Sequence, residues 1–327
     1  YRRGLLMTHL LVAGKLHPAG VTFLETLKSK GTTVTYIEEI NEESYFEHIV
    51  TADALVIRTQ PLSAATIKHA KRLKIVSRHG VGYDAIDLEA LNLRGIPLAI
   101  VGDVNSVSVA EQAMMQLLAC AKQAIRADRA VRDPSKWGWR NNLEQREISH
   151  RNLLIIGFGR AGQKLARMAR GFEMNVRAYD PYLESKCWPD STVAPVKSLT
   201  DGLTWADCLS LHVPRSKKPL LDAAAFKKMK PGMIIANTSR GGVMCETALA
   251  SALSDGIVHA AGLDVFDIEP PTETLVLTEH DNIILSPHIA GLTEEASKRM
   301  AISSIKNAMD ALDGSLDPDL IVNKAKK

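Results

Sequence analysis

Residues 152–172 read NLLIIGFGRAGQKLARMARGF. Five apolar or strand-compatible residues run into Gly157-x-Gly159-x-x-Gly162, and a stretch with helical spacing follows. In a βα unit each glycine of this spacing has its own task. The first makes the tight turn, the second lets a pyrophosphate come close to the backbone, and the third lets helix and strand pack closely. The helix start, with Arg160 and Ala161, offers N–H groups without intrahelical partners and the positive end of the helix dipole. A second strand, NVRAYD (175–180), ends in Asp180, eighteen residues beyond Gly162. A carboxylate there binds ribose hydroxyls and repels a 2′-phosphate, so the motif points to a dinucleotide and favours NAD over NADP. Arg177 precedes Asp180 within the strand and is poorly placed to receive a phosphate.

The same rhythm extends both ways. Upstream, the pattern predicts strands at HLLVAG (9–14), TVTYI (33–37), DALVIRT (53–59), KIVSR (74–78) and PLAIV (97–101). Helices are predicted from Pro18 to Gly31 and at EESYFEHIV (42–50), SAATIKHAKRL (63–73) and IDLEALNLR (86–94). Pro18 suits a first helical turn and Gly31 a helix C-terminus. One long helix is expected over 106–132, with Ser108 and Glu111 spaced for a capping box. A segment with Trp137 and Trp139 follows, packing on its own domain or on a second subunit. After the second βα series closes at NIILSPH, a last helix over 293–314 is expected to return to the first domain.

Strands alternating with helices imply parallel sheets covered on both faces. The fold class is therefore α/β with two doubly wound domains. A dinucleotide domain over 104–290 is inserted into a flavodoxin-like domain made of 1–103 and 291–327.

Composition narrows the function classes. Lys and Arg number 40 against 37 Asp and Glu, a net charge of +3 without a basic block, which argues against nucleic acid or an anionic membrane surface. No apolar run approaches the roughly 20 residues a membrane span needs. Cys120, Cys187, Cys208 and Cys245 are far apart with no C-x-x-C pair, which suits reduced thiols in a cytoplasm and neither a disulfide framework nor a metal site. The opening YRRGLLMTHLLVAG (1–14) imitates a signal peptide, but Thr8, His9 and Lys15 interrupt it and no small-residue cleavage site follows. The expectation is a short leader before the first strand, with Met7 the natural start.

Three segments place a polar residue just past a predicted strand: Arg240 after MIIAN, Asp264 and Glu269 after HAAGL, and His288 after NIIL. Alone, each has an ordinary explanation: an ion pair, a solvated acid, a strand-end histidine. In a doubly wound sheet, however, the carboxyl ends share one rim beside the cofactor. An arginine there can hold a carboxylate or polarise a carbonyl. An imidazole can protonate an oxygen as hydride reaches carbon, and a carboxylate on its other nitrogen would orient it.

Seven stretches carry a resemblance over nearly the whole length: RHGVGYDAIDL (78–88), NSVSVAEQAM (105–114), GFGRAG (157–162), LHVP (211–214), MKPGMIIANTSRGG (229–242), GLDVFDIEPP (262–271) and SPHIAG (286–291). The chain resembles the D-isomer-specific 2-hydroxyacid dehydrogenases. That likeness implies Arg240, Glu269 and His288 as the catalytic set and Asp264 near the nicotinamide carboxamide. It puts His212, Val213 and Pro214 on the adenine side, and Thr238, Ser239, Arg240, His288, Gly291 and Val81 on the cofactor as well. It places the backbone amides of Val81 and Gly82 on the substrate carboxylate, with Arg58, His79, Arg240 and His288 completing the substrate set. A homodimer, formed through the long helix and the tryptophan segment, is a further implication.

The chain departs from its relatives at PRSKKPL (214–220), where Arg215, Lys217 and Lys218 read as a solvated charge run or as help for a phosphate or adenine edge, and at SHRNLLIIG (149–157). The sequence ends soon after the last helix, and the expectation is a chain without the regulatory extension of many serine-pathway relatives. The expected activity is NAD-dependent hydride transfer at C2 of a small, unphosphorylated 2-oxo or 2-hydroxy acid such as glyoxylate or hydroxypyruvate. Arg58 and Arg78 leave open a phosphorylated or dicarboxylic substrate. Two other readings remain from the sequence: formate oxidation, against which the Glu269–His288 pair speaks, and an NAD-sensing interaction protein of corepressor type.

Overall fold

TVTYI and NVRAYD alternate polar and apolar residues, whereas Val, Ile, Leu and Ala dominate most of the predicted strands, the pattern of strands covered on both faces. The computed structural model of the chain, which describes residues 8–271 and 276–323, turns them into two wholly parallel sheets. The expected leader, Tyr1 to Leu6, and Met7 lie outside the described residues. Two compact units emerge, one from the chain up to Asn105 and from Leu292 onward, the other from Ser106–Gly291.

In the first unit the strands are β1 (His9–Ala13), β2 (Thr33–Ile37), β3 (Ala54–Ile57), β4 (Ile75–Arg78) and β5 (Leu98–Ala99), in the order β2-β1-β3-β4-β5. That is the flavodoxin-like order. The final helix, Glu294–Asp313, belongs to this unit and buries Ala301 and Ile305 with Leu10, Val12 and Val56 of the sheet. Thr293 caps its start through Ala296 N, and Ser77 Oγ donates to Ser304 O at 2.7 Å.

The second unit contains β6 (Asn152–Ile156), β7 (Asn175–Tyr179), β8 (Ala194–Pro195), β9 (Cys208–Leu211), β10 (Met233–Asn237), β11 (Val258–Leu263) and β12 (Ile283–Leu285). Their order, β12-β11-β10-β9-β6-β7-β8, reverses direction between β6 and β9. This is the dinucleotide-binding arrangement with one strand added, and its ligand crevice lies at that reversal. All five residues of β10 and four of β6 are buried.

Local structure departs from the sequence expectations in three places. The single helix over 106–132 is two helices, Ser106–Ala121 and Ala124–Arg132, because Gln123 takes a left-handed conformation with φ 51°. Its carboxamide donates to Cys120 O at 3.1 Å and meets His259 Nε2 at 3.2 Å. That second contact is long-range, and helical periodicity carries no trace of it. Ser108 is buried inside the first of these helices, not at its cap, so the capping box does not form there. Third, EESYFEHIV splits into a short α-helix, Glu43–Phe46, and a 3₁₀ turn, His48–Val50. The tryptophan segment is a 3₁₀ stretch, Pro134–Asn142, with Arg126 over Trp139 and Arg140 over Trp137. Among the described residues no helix is long and apolar enough to cross a membrane.

Candidate active site

The glycine turn has the geometry its spacing implied. Gly157 has φ 90°, and a Cβ there would lie 2.4 Å from the carbonyl oxygen of His212. The ends of β6 and β9 can therefore touch only if that residue lacks a side chain. A Cβ on Gly162 would come 2.3 Å from Gly157 O, which fixes the helix Arg160–Gly171 directly behind the turn. Gly159 differs, since nothing lies within 4 Å of the position its Cβ would take. The turn thus presents an open face at the start of a twelve-residue helix, where the amides of Arg160 and Ala161 have no turn before them to accept their hydrogens.

Asp180 ends β7 and faces this turn. Its Oδ2 accepts from Phe158 N at 2.9 Å and its Oδ1 from Leu183 N at 3.1 Å. The carboxylate is thereby locked beside the glycines. Arg177 stacks over Trp205 at 4.6 Å, engaged away from any phosphate role. Across the turn, His212 bonds Ser210 Oγ through Nε2 at 2.9 Å, and its buried Nδ1 has no partner among the described residues. Burial lowers this imidazole to about 4, so it is neutral near pH 7. The buried Thr238 Oγ1 likewise has no partner among the described residues. Unpaired buried polar atoms are costly and rare. Two of them flanking an open glycine face fit a cofactor with ribose hydroxyls and phosphates. Val213 is half-buried and Pro214 exposed beside them.

Arg240, Glu269 and His288 all lie in the loops that follow β10, β11 and β12. Asn237 ends β10, and its Oδ1 accepts from Ser239 N at 3.0 Å and Ser239 Oγ at 2.8 Å, while its Nδ2 donates to Arg240 O at 3.2 Å. Arg240 Nη1 donates to Ser239 O at 2.6 Å. The Arg240 and Glu269 loops are stitched together: Gly242 N donates to Asp267 Oδ1 at 2.6 Å, and Asp267 N to Glu246 Oε1 at 2.8 Å. Glu269 Oε1 accepts from Phe266 N at 2.9 Å, leaving Oε2 for His288 Nδ1 at 2.6 Å.

Because a carboxylate can only accept, that short contact assigns the Nδ1 proton and leaves Nε2 without a hydrogen-bond partner among the described residues. Burial works to raise the Glu269 carboxyl. The hydrogen bonds from His288 and Phe266 and the charges of His288 and Arg240 outweigh it, and the carboxyl sits below its ordinary value. Arg240 is thus electrostatically part of the same cluster.

The His288 loop hangs on Asp264. This carboxylate has no exposed surface and accepts three hydrogen bonds. Oδ1 takes Ser286 Oγ at 2.5 Å and Ile289 N at 2.9 Å, and Oδ2 takes Ala290 N at 2.7 Å. Gln112 supports Ser286 Oγ at 3.2 Å. Between these anchors His288 is held at φ 51°, in the left-handed region that non-glycine residues adopt uncommonly. Strain of this kind persists only where the surroundings over-determine it. Gly291 closes the loop. The sequence reading singled out Asp264 for another role and missed Asn237, Glu246, Asp267 and Gln112. Glu246 and Gln112 stand inside helical stretches, where nothing marks them as supports.

In the first unit, Arg78 is committed to its own loop. Its Nε donates to Gly82 O at 2.6 Å and its Nη1 to Ile57 O and His79 O at 3.2 and 3.1 Å. These bonds shape the Gly80-Val81-Gly82 turn. Among the described residues Arg58 makes one long side-chain hydrogen bond, Nη1 to Lys15 O at 3.3 Å. His79 is buried with Nε2 unpartnered among the described residues. Burial first, and then the charge of Arg58, lowers it to about 4.

Comparison with known proteins identifies the family. Residues 114–290 match the model of the D-isomer specific 2-hydroxyacid dehydrogenase NAD binding domain. The chain is 36% identical over 282 residues to a D-3-phosphoglycerate dehydrogenase of Archaeoglobus fulgidus, covering 85% of this chain and 53% of that protein. It is also 36% identical over 280 residues to a hydroxypyruvate reductase of Thermotoga maritima, covering 84% of this chain and 90% of that protein. The chain therefore spans about half the length of the first relative and most of the second. Among solved structures, the TT0316 protein of Thermus thermophilus superposes with a TM-score of 0.86 at 29% identity, over 96% of this chain and all of that one. With the glycine turn, the acid beside it and the three strand-end residues in place, the chain belongs to the D-isomer-specific 2-hydroxyacid dehydrogenase family and carries that family's NAD-binding domain.

Proposed function

We propose that this protein interconverts a small 2-oxo acid and the corresponding D-2-hydroxy acid, with His288 as the proton donor and acceptor. The observation that carries the reading is the His288–Glu269 pair: Nδ1 is bonded at 2.6 Å and Nε2 is left for a substrate oxygen. NAD(H), when bound, supplies or takes up the hydride. Gly157, Gly159, Arg160, Ala161, Gly162 and Asp180 would hold its phosphates and adenosine ribose, with His212, Val213, Pro214, Thr238 and Ser239 beside it and Asp264 and Gly291 toward the nicotinamide.

In reduction, His288 gives the Nε2 proton to the oxygen that becomes the hydroxyl, while Glu269 stabilises the charged imidazole until that transfer. In oxidation Nε2 takes the proton back. Arg240 orients the carboxylate or polarises the carbonyl through charge-assisted hydrogen bonds. In the first unit, the Val81 and Gly82 amides, His79 and Arg58 carry the substrate-carboxylate reading. Arg78 has its Nε and Nη1 on carbonyls of its own loop, which supports glyoxylate or hydroxypyruvate over a phosphorylated substrate.

The test is NADH and NADPH oxidation with a panel of 2-oxo acids, wild type against His288→Asn, since asparagine tolerates the left-handed backbone. Wild-type turnover with NADH and a loss of about 10²–10⁴ in kcat for the variant is expected. Equal rates for the two proteins would refute the assignment. Activity on 3-phosphohydroxypyruvate alone would overturn the substrate choice.

A homodimer also belongs to this proposal. Val131, Trp137 and Leu143, at 65%, 56% and 86% exposure along one short stretch, support it. A monomer in sedimentation equilibrium at micromolar concentration would refute it. The four unpaired cysteines support a cytoplasmic location.

A further inference from the structure

The strands of the second unit have two ends, and the chemistry above uses only one. At the other, where β11 and β12 begin, lies a cavity of about 250 Å³ lined by Gln123, Arg126, Glu144, Arg146, His259 and Asn282, with Leu253 and Val258 behind them. At roughly 30 Å³ per water that is space for about eight, enough for a phosphate group and part of what carries it. His259 stands near the start of β11 and Asp264 just past its end, so at about 3.3 Å per residue the cavity is roughly 16 Å along the strand from Asp264, which holds the His288 loop.

The charges around it do not balance. Arg126 is taken by Glu144, which it grips through both Nη1 and Nη2, and it stacks over Trp139. Glu144 also accepts from Asn142, so the pocket's carboxylate is spent. Arg146 has no carboxylate partner among the described residues. Among the described residues its one side-chain hydrogen bond runs from Nη1 to Gly232 O at 2.7 Å. Burial, and then the neighbouring Arg151, lowers this guanidinium. The guanidinium is nonetheless held firmly. A Cβ on Gly232 would lie 2.2 Å from Nη1 and 3.0 Å from Cζ, so the guanidinium packs directly against this backbone.

His259 registers the same excess. Burial, and then Arg146, lowers it to about 4, with Arg151 and Arg126 adding to the effect and Glu144 opposing it. Gln123 Nε2 faces its Nε2 at 3.2 Å, and because the carboxamide nitrogen can only donate, that ring nitrogen accepts. A half-buried arginine without a counter-ion is unfavourable until an anion arrives, and its planar fork matches phosphate oxygens.

We propose that this pocket is a second ligand site, remote from the reacting groups, which takes the phosphate group of a small molecule on Arg146 with Arg126 beside it. The site joins β11, β12 and the stretch from Gln123 to Arg146, so an occupant ties the tryptophan segment to the sheet.

The experiment uses protein saturated with NAD⁺, which fills the phosphate-binding glycine turn, and inorganic phosphate as the probe. Titration calorimetry at fixed ionic strength compares wild type, Arg146→Gln, Arg58→Gln and Arg132→Gln. Arg132 is an exposed residue paired with Asp128 and serves as the control. Saturable binding that weakens at least tenfold in Arg146→Gln, with the other two variants unchanged, is expected. Wild-type binding by Arg146→Gln would overturn the proposal. So would loss of binding once NAD⁺ is present, which would place phosphate on the glycine turn, or loss in Arg58→Gln, which would place it in the first unit.

A second measurement needs no change at Arg146. The imidazole resonance of His259, assigned with His259→Gln, is expected to shift saturably with phosphate and with the same midpoint. An unmoved resonance at saturating phosphate refutes the site even if the Arg146 variant fails to fold.

Discussion

Asp264 is the residue whose replacement tests the site's construction most directly. Its three hydrogen bonds hold Ser286, Ile289 and Ala290 on both sides of His288, and it has no exposed surface. Asp264→Asn keeps the size and one oxygen. If that oxygen stays at the Oδ1 position, Ser286 and Ile289 keep an acceptor, but an NH₂ then points at the Ala290 N–H, a donor facing a donor. One hydrogen bond to a charged acceptor is lost, worth about 1.5–3 kcal/mol, and a buried amide is stranded at about 1–3 kcal/mol. Allowing for partial relaxation, the expected cost is about 3 kcal/mol. Asp264→Ala removes all three acceptors, and its cost should reach about 5 kcal/mol on the same figures. Trp137, Trp139, Trp188 and Trp205 are the chain's four tryptophans, and all lie between Ser106 and Gly291, so urea unfolding followed by tryptophan fluorescence reports on this unit alone. Turnover should fall further than NADH affinity, because the loop that sets His288 is disturbed while the glycine turn is not. Asp264→Asn stability within about 0.5 kcal/mol of wild type would refute the bracket, since that is the scale of an uninvolved surface change. Loss of NADH affinity with stability and loop geometry intact would show instead that the carboxylate's weight lies on the cofactor.

The other predictions concern the glycines, the pair and the acid. Gly159→Ala has open space around its new methyl group, so stability should stay within about 0.5 kcal/mol while the NADH Kd, read by fluorescence titration, rises at least about tenfold. Gly162→Ala meets backbone at 2.3 Å and should cost about 2–3 kcal/mol in urea unfolding; equal behaviour of the two variants would contradict the division of labour in the turn. The Glu269 carboxyl is held below its ordinary value, so its charge is present at neutral pH and is lost only as pH falls through that lowered value. Glu269→Gln removes the charge that favours the imidazolium, and the alkaline limb of reductive kcat/KM should move to lower pH; an unmoved limb would mean that Glu269 does not act through His288. Asp180→Asn should lower the NADH-to-NADPH ratio of kcat/KM by about tenfold or more, measured with both cofactors on one substrate.

The first layer of this protein was readable because it is local. A glycine spacing, apolar runs without alternation and an acid at a fixed distance come from rules acting over a few to some twenty residues, and they place Gly157, Gly159, Gly162 and Asp180 where the structure has them. Arg240, Glu269 and His288 were also visible, since doubly wound topology sends the carboxyl ends of a sheet to one rim whatever loops follow. Hidden were the groups whose role depends on partners far along the chain. Gln123 breaks the long helix and meets His259, 136 residues on. Asp264 turns its carboxylate onto amides 25 and 26 residues away. Arg78 turns its Nε and Nη1 onto three backbone carbonyls, one of them 21 residues away. Arg146 settles on a glycine 86 residues distant. A side chain's type and local pattern state what bonds it can make. Which bond it does make is decided by the acceptors that folding brings within 3 Å, and only the tertiary structure supplies those.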